Sequence, residues 1–476
     1  MTPTDIGFTR RTVGFAGLAV ASFLGCIDLT IVSTALPVIT RDLHTTLAVS
    51  QLVMGGFLTA LAMFMITAGR LGDTLGRKPV LLTGLGVFVL ASVGAAAAPA
   101  IGWLIAARFV QGLACAVLYT GTSTLVESLF PDGQRGRAIG LLYAINGVGL
   151  AIGPVLGGLL VPALGWQSVF WLNLPVGGLA LLAIAYAVPS PAANPGVGLD
   201  LGGQAALAVT VAAAVAVVSL PETTGWLSVP VLVAAVLTIV GAAVAVIVER
   251  RAAAPLLRPD LFRHPKFVSA LSSDFFLAAF YASALVALPP YLGAEHRLDA
   301  RATGLILLLV SVTMAVLSPR VGKVVDRTGP AGPLRLGFAA FVLSAVVTVI
   351  AAFTGSLLVL SIALILFGAG WAGILAPATV AALSSVDRDE SGFAVGASWT
   401  FHNLGGALGA AIAAGLYAAS EHPGGGLLRV AVLLLIVAAF GLTANVLTAR
   451  VRRDDQHSGA VGQRSVSSEV IERSGR

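Results

Sequence analysis

Between two long apolar segments lies the charged stretch Gly69-Arg70-Leu71-Gly72-Asp73-Thr74-Leu75-Gly76-Arg77-Lys78. Its skeleton is a glycine, three residues, an aspartate, two residues and a second glycine, and it recurs at Gly322, Asp326 and Gly329, 326 − 73 = 253 residues further on. Glycine allows the backbone to turn tightly between closely packed helices, and an aspartate can face a helix N-terminus or an arginine. The alternative is an ordinary charged loop, which the recurrence of the same skeleton disfavours. The repeat therefore predicts two copies of one structural half.

The composition indicates a membrane protein with many spans. Hydrophobic residues make up 57% of the chain and charged residues 11%, against about 25% charged residues in an ordinary soluble domain. The formal net charge of +6 is spread over short loops, which disfavours a nucleic-acid partner. Cys26 and Cys115 lie in apolar segments at different depths by residue count, so no disulfide is expected. No cysteine or histidine spacing indicates a metal site.

Fourteen apolar segments approach the length of about 20 residues that spans a bilayer. They lie at 13–36, 50–68, 80–98, 102–126, 138–161, 167–187, 201–220, 228–248, 267–290, 302–319, 334–354, 357–382, 392–416 and 427–448. The second copy of the charged stretch falls between helices ten and eleven. Helix nine therefore corresponds to helix one, and helices seven and eight are an inserted, lipid-facing pair.

The expected fold is thus an all-α polytopic membrane protein of two six-helix bundles plus two inserted linker helices. We expect a cytoplasmic N-terminus at 1–12, a first bundle at 13–187, a linker at 188–266, a second bundle at 267–448 and a disordered cytoplasmic tail at 449–476. Alternate loops, beginning with Arg10 and Arg11, carry nearly all the lysine and arginine. Because such loops stay in the cytoplasm, both termini are expected there. The exceptions on the outer side are Arg41, Arg297, Arg301 and Arg429.

Two charged residues lie deep inside predicted helices. Asp28 of helix one shares a face with small residues, so it should face protein or a cavity and act as a proton site; a structural ion-pair partner is the alternative. Arg108, Gln111 and Tyr119 lie along one polar face of helix four, which should border a wet cavity. At about 1.5 Å per residue, Asp28 lies about 8 Å and Arg108 about 9 Å from the outer edge of a core about 30 Å thick. These equal depths predict a pair that protonation of Asp28 would release.

Helix five carries small residues at four-residue intervals, at Gly149, Gly153 and Gly157. This spacing forms a groove for another helix backbone, and Pro154 within the run removes a backbone hydrogen bond. A bend at a moving interface is one interpretation, and simple helix packing is the other. The second half repeats the spacing at Gly405 and Gly409, without a proline.

Taken together, these segments resemble the fourteen-helix drug:proton antiporters of the major facilitator superfamily. The resemblance covers residues 13–448. It rests on the segments from Gly69 to Lys78, from Asp28 to Pro37 and from Gly149 to Gly158, on Arg108, Gln111 and Gly112, and on Trp166, Phe170, Asn173 and Pro175.

The resemblance implies the major facilitator fold, in which two bundles rock about a central cavity. It implies export of small lipophilic or cationic molecules (drugs, antibiotics, metabolites), driven by inward proton flow across the cell membrane. The implied partners are the small-molecule substrate, protons and the lipid bilayer, with a monomeric chain. We expect no cofactor, since the proton gradient supplies the energy.

Within this resemblance, the candidate residues divide into three groups. We assign proton coupling to Asp28, Arg108, Asp274 and His402. We assign the conformational motif to Gly69, Asp73, Gly76, Arg77, Lys78, Gly149, Gly153, Pro154, Gly157 and Asp326. The candidate cavity residues are Gln111, Tyr119, Asn146, Phe276, Phe280, Tyr281, Trp399 and Asn403.

Three of these residues have specific expectations. Asp73 should hold the outward-open state by contacting the first turn of helix eleven across the two bundles, aided by Arg77 and by Arg135 or Arg137. Asp274 should be a second proton site or a cation contact, or instead an interface residue paired with Lys266 or Arg263. His402 should contact substrate or handle a proton, or simply pack.

Other functions remain as alternatives. An uptake symporter and an exporter of a lipid or lipid conjugate share the expected fold. An intramembrane enzyme is disfavoured because the chain has neither His-Glu-x-x-His nor Gly-x-Ser-x-Gly. An ATP-driven pump is disfavoured because the chain lacks a Gly-x-x-x-x-Gly-Lys phosphate-binding loop.

Overall fold

The computed structural model is built from long helices and describes residues 7–131, 133–190, 201–219, 225, 228–251 and 261–447. The first six helices, here the N half, are α1 (Phe8–Asp42), α2 (Leu47–Leu75), α3 (Arg77–Ala96), α4 (Ile101–Leu129), α5 (Arg135–Leu164) and α6 (Ser168–Ala187, interrupted at Leu172). Next come α7 (Leu201–Ser219) and α8 (Val229–Arg251). The C half comprises α9 (Pro265–Glu295), α10 (Ala300–Thr328), α11 (Ala331–Thr354), α12 (Leu357–Leu383), α13 (Ser391–Ala418) and α14 (Pro423–Leu447).

Of the helices in these ranges, 12 are long and apolar enough to cross a membrane. The two others are α7, whose apolar part Gly202–Val217 is shorter, and α13. Although α13 is 28 residues long, it carries Trp399, His402 and Asn403 among many glycines, which lowers its hydropathy. The chain therefore spans the membrane many times, and Ser398, Thr400 and His402 in the polar part of α13 are buried.

The helices extend beyond the limits predicted from hydropathy. Helix α1 begins at Phe8, so residues 8–12, predicted to precede the first helix, belong to it. Hydropathy marks only the apolar part of a helix, whereas its backbone hydrogen bonds continue through polar residues at the ends. Side-chain caps fix other starts, as where Asp299 accepts a hydrogen bond from the Ala302 amide at 2.7 Å. The predicted tail 449–476 and part of the linker, at 191–200, 220–224, 226–227 and 252–260, lie outside the described residues.

Close helix crossings through glycine build each half. In the N half, Gly149, Gly153 and Gly157 of α5 face α1, where an added Cβ would collide with Phe23, Thr30 and Thr34 respectively. In the C half, the same positions on α13 face α9. There, a Cβ on Gly405 would collide with the Phe275 carbonyl and one on Gly409 with the Ala279 carbonyl. The repeated small-residue spacing thus makes equivalent contacts, α1 with α5 and α9 with α13.

The halves meet along two seams, α2 against α13 and α5 against α10. Helices α7 and α8 pack against each other, and α7 also packs against α2 and α13. The inserted pair therefore lies beside one of the two seams. Helix α8 is largely exposed, with 17% of its most apolar window buried.

The crossing at Gly405 provides a test of this packing. Gly405→Ala places a methyl group against the Phe275 carbonyl, and overpacking of this kind costs about 1–3 kcal/mol. We expect a lower midpoint of thermal unfolding for the variant in detergent. Gly415→Ala on the same helix is the matched control, because nothing lies within 4 Å of a Cβ built there. Equal midpoints for the two variants would contradict the close crossing.

Candidate functional site

A buried ion pair joins α1 to α4. Arg108 Nη1 donates to Asp28 Oδ2, and the side chains are 1% and 0% exposed. The other carboxylate oxygen, Oδ1, accepts a hydrogen bond from Asn173 Nδ2 of α6 at 3.2 Å. The pairing predicted from equal helix depths is confirmed.

Further hydrogen bonds hold this pair in place. Arg108 Nη1 also donates to Gln111 Oε1 at 3.0 Å, and Arg108 Nε donates to the Val53 carbonyl of α2 at 3.3 Å. Ser92 of α3 accepts from Gln111 Nε2 at 2.6 Å and from Asn173 Nδ2 at 3.1 Å. The guanidinium lies 4.1 Å from the centre of the Phe57 ring. Five helices thus converge on one polar cluster, here the Asp28 network.

Sequence reasoning found the charges of this network but missed its neutral members. Ser92 is one serine in an apolar helix, and Asn173 was recognised as a family feature without a role. Gln111 was assigned to the cavity, but it is fully buried, with its amide bonded to Arg108 and Ser92. The signal that could have found these residues is that each is a polar residue within an apolar helix, where a bonding partner is needed.

The two copies of the charged stretch make equivalent contacts between the halves. Asp73 accepts hydrogen bonds from the amides of Gly392 at 3.0 Å and Phe393 at 2.9 Å, in the first turn of α13. Asp326 accepts from the amides of Gly136 at 2.7 Å and Arg137 at 2.9 Å, in the first turn of α5. A carboxylate at a helix N-terminus is favoured by both the free amides and the helix dipole. We call these four hydrogen bonds the double latch, and this end of the molecule the latch end.

The predicted partner of Asp73 was wrong in one respect. Asp73 contacts the thirteenth helix and not the eleventh, because α11 occupies in the C half the place of α3 in the N half. Arg77 does assist, since it lies 3.2 Å from Asp73 Oδ1 and also donates to the Arg388 carbonyl. The other arginines do not reach Asp73: Arg135 pairs with Glu127 at 3.3 Å, and Arg137 offers its backbone amide to Asp326.

The glycines of the repeated skeleton each have a structural reason. A Cβ on Gly69 would collide with the Gly392 carbonyl, and one on Gly322 with the Gly136 carbonyl, so the first glycine of each copy permits the crossing at the latch. The second glycine, Gly76 or Gly329, has a positive φ of 96° or 78° and ends its helix. Lys78 is directed elsewhere and donates to two carbonyls, of Ala185 and Val188, at the end of α6.

Aromatic side chains bridge the halves between the latch end and the Asp28 network. Trp399 of α13 stacks on Tyr119 of α4, with ring centres 5.0 Å apart, and meets Tyr143 of α5 edge-on at 6.4 Å. From Trp399 the contacts continue to His402 at 4.8 Å, from His402 to Tyr281 at 5.5 Å, and from Tyr281 to Trp371 at 4.7 Å. We call this set the aromatic layer; it consists of Tyr119, Tyr143, Tyr281, Trp371, Trp399 and His402.

The remaining candidate cavity residues separate into two groups. Asn146 is buried on α5, and its Oδ1 has no hydrogen-bond partner among the described residues. Asn403 Nδ2 donates to the Trp399 carbonyl at 2.7 Å. Phe276 stacks on Phe440 of α14, and Phe280 stacks on Phe341 of α11, both among helices of the C half. Phe280 also lines a small apolar cavity between α9, α11, α12 and α14, which are equivalent to four of the five helices around the Asp28 network.

Asp274 has a less complete environment than Asp28. It is 3% exposed, and Ser398 of α13 donates to its Oδ2. Its Oδ1 is buried without a hydrogen-bond partner in the described part of the chain. The alternative pairing with Lys266 is not formed, since Lys266 is exposed at the start of α9; the Arg263 side chain lies outside the description.

Comparisons with known proteins bear on the chain as a whole. A family model described as the Major Facilitator Superfamily matches residues 18–410. The Multidrug resistance protein Stp of Mycobacterium tuberculosis (strain CDC 1551 / Oshkosh) is 33% identical over 401 residues, covering 83% of this chain and 74% of that protein. The Tetracenomycin C resistance and export protein of Streptomyces glaucescens is 30% identical over 404 residues, with the same two shares, 83% and 74%.

A solved structure shares the fold. The crystal structure of the human organic anion transporter MFSD10 (TETRAN) has a TM-score of 0.66 and 16% sequence identity. The similarity covers 91% of this chain and 99% of that one. At this identity, the likeness concerns the arrangement of helices alone.

The double latch leads to a prediction about the separation of the halves. Asp73→Asn removes the charge facing the start of α13, an interaction worth about 0.3–2 kcal/mol. We expect the closed population at the latch end to fall several-fold, measured as spin-label distances between cysteines placed at Leu75 and Val324, which are exposed on different halves. Asp299→Asn is the control, since Asp299 caps a helix within its own half. An unchanged distance distribution in Asp73→Asn would contradict the latch.

Proposed function

The chain belongs to the major facilitator superfamily, a family of membrane transporters, and on that premise we propose that it exports drug-like small molecules in exchange for protons. The observation that carries this proposal is the Asp28–Arg108 pair, fully buried in the N half. Asp28 is a protonatable acid buried away from lipid, and Arg108 beside it carries a permanent positive charge. Binding of one proton to Asp28 would therefore remove the negative charge of the pair. Two relatives, whose names refer to multidrug resistance and to tetracenomycin C resistance and export, support the outward direction.

The proposed coupling begins with the charge state of Asp28. While Asp28 is ionised, Arg108 and Asn173 are both bound to it. Protonation removes the negative charge, so Arg108 loses its counter-charge and the contact between α1 and α4 weakens. Substrate release and proton uptake would then occur on the same side, and proton release would restore the pair.

The structure also suggests how this change reaches the latch end. Helix α1 lies in the glycine groove of α5, where Gly153 and Gly157 face Thr30 and Thr34. The first turn of α5 is in turn bound by Asp326 of the C half. Two direct contacts, of α1 with α5 and of α5 with Asp326, therefore connect the helix that carries Asp28 to one half of the double latch. A shift of α1 within this groove would bias the seam between α5 and α10.

We further propose the setting of the transporter. Fourteen spans cross the cell membrane, with bundles at 13–187 and 267–448 joined by the linker at 188–266. The latch end and both termini face the cytoplasm, as the distribution of lysine and arginine favours, so the closed latch corresponds to an outward-facing state. The chain acts as a monomer without a cofactor and without a nucleic-acid partner, and the proton gradient is its energy source.

The proton-coupling role of Asp28 has a direct test. Asp28→Asn keeps the size of the side chain but cannot bind and release a proton, so we expect proton-driven export to fall to background. The measurement is drug accumulation in a pump-deficient bacterial host, with and without a protonophore, across a panel of antibiotics and dyes. Correct folding is checked by the elution profile of the purified variant in detergent.

A control variant separates the site from a general charge effect. Asp42→Asn changes an acid at the exposed end of the same helix, and it should export like the wild type.

Arg108→Ala should shift the dependence of transport on pH, because Asp28 loses its counter-charge. Full, protonophore-sensitive export by Asp28→Asn would remove Asp28 from the mechanism. Uptake in place of export, in vesicles of known orientation, would overturn the proposed direction.

A further inference from the structure

We propose that the latch end of the N half binds one anionic phospholipid, with its phosphate between Arg10 and Lys78 and its acyl chains along α6. The first turns of α1 and α3 and the last turn of α6 form this site, which we call the basic site. It is separate from the Asp28 network and from the aromatic layer. Its ligand belongs to the leaflet on the latch side of the membrane.

Two basic side chains from different helices bind the same helix end. Arg10 Nη2 of α1 donates to the Tyr186 carbonyl at 3.3 Å. Lys78 Nζ of α3 donates to the carbonyls of Ala185 at 2.8 Å and Val188 at 2.7 Å. Because these acceptors belong to a single turn of chain at the end of α6, the guanidinium and the ammonium are neighbours, close enough for their charges to repel each other. The backbone of α6 therefore holds two cations side by side.

The positive charge of the basic site exceeds the negative charge that faces it. The carbonyl end of a helix carries about half an elementary charge, whereas Arg10 and Lys78 carry one each. The acids near the latch end of the N half are engaged elsewhere, since Asp73 pairs with Arg77 and Glu127 pairs with another arginine. Within the described ranges, neither Arg10 nor Lys78 forms an ion pair. The site therefore has room for an anion.

The starts of α1 and α3 add to this excess of positive charge. Their N-caps are glycines, Gly7 and Gly76, which have no side chain to bind the free amides of the first turn. Neither first turn contains an acidic residue. The positive ends of two helix dipoles thus lie beside the two basic side chains, and all four features favour a negative ligand.

The surface next to the basic site is apolar and faces the bilayer. Leu179, Leu182 and Tyr186 lie on one face of α6 and are 69%, 70% and 72% exposed. From Tyr186, this face runs about 10 Å towards the middle of the membrane. Phe8, two residues before Arg10, is 84% exposed. A ligand with its phosphate at the basic site can therefore cover this face with acyl chains, which a soluble phosphate cannot do.

The free donors of the basic site suit a phosphate group. Arg10 is exposed and uses one of its five N–H donors on α6, and Lys78 uses two of its three. The others can bind phosphate oxygens. Basic pockets between helices at the cytoplasmic side of a membrane bind anionic headgroups. A zwitterionic headgroup would bring its own positive charge to the site, so we expect phosphatidylglycerol to bind more tightly than phosphatidylcholine.

The test measures lipid binding to the purified, delipidated full-length protein by native mass spectrometry. Phosphatidylglycerol and phosphatidylcholine with identical acyl chains are titrated separately, and the affinity for the first bound lipid is compared. We expect the wild type to prefer phosphatidylglycerol. The double variant Arg10→Gln/Lys78→Gln removes both charges but keeps N–H donors for the α6 carbonyls. Its ratio of the two affinities should fall at least about tenfold.

Two double variants serve as controls. Arg137→Gln/Lys323→Gln removes two exposed cations elsewhere at the latch end and should keep the wild-type ratio. Arg10→Lys/Lys78→Arg keeps both charges and should retain the preference, and midpoints of thermal unfolding show that each variant is folded. A wild type without the preference would overturn the inference, as would a wild-type ratio in Arg10→Gln/Lys78→Gln. An equal loss in Arg137→Gln/Lys323→Gln would also overturn it, because the effect would then come from overall charge.

A soluble competitor distinguishes the lipid from a free phosphate. Glycerol 1-phosphate carries the phosphate group of the lipid without its acyl chains. We expect it to leave bound phosphatidylglycerol in place even in large excess, because it makes no contact with the apolar face of α6. Displacement of the lipid by comparable concentrations of glycerol 1-phosphate would overturn the assignment to a phospholipid.

Discussion

A carboxylate and a guanidinium inside a membrane each lose several kcal/mol of hydration, and their contact offsets this cost only when their remaining polar atoms are also bonded. The Asp28–Arg108 pair meets this condition through Asn173, Gln111 and a backbone carbonyl. Because these partners come from different helices, satisfying one charge pair fixes the relative depth of most of the N half. The packing of that half depends on this pair. A change in its protonation would therefore alter hydrogen bonds that involve five helices.

The two halves share their backbone geometry but differ in their buried chemistry. The first glycine, the aspartate and the second glycine of the repeated skeleton make the same contacts in both copies, and α1 crosses α5 as α9 crosses α13. Four of the C-half helices that correspond to those of the Asp28 network enclose a small apolar cavity instead, lined by residues such as Phe280 and Leu364. The repeat thus preserves the contacts that hold the halves together, whereas the charge pair is found in the N half.

The sequence was most informative about features that follow from residue spacing, namely the repeat and the depth of a residue along its helix. The 253-residue repeat predicted two equivalent halves, and residue depth paired Asp28 with Arg108 before any contact was seen. Sequence was less informative about partners. The helix opposite Asp73 was misassigned because a repeat identifies equivalent helices without saying which ones touch. Ser92 and Asn173 were missed as network members because a single polar residue in an apolar helix reveals its partner only in three dimensions.

Helix α13 links the two halves, because it contacts helices of the N half and also α9 of its own half. Its bonds to Asp73 and its stacking on Tyr119 join it to the N half, while Ser398 and Gly405 join it to Asp274 and Phe275 of α9. The Gly405 crossing brings the α13 backbone directly against that of α9. Helix α13 is thus held by both halves, and a separation of the halves at the latch end would break its Asp73 bonds and its stacking on Tyr119 together.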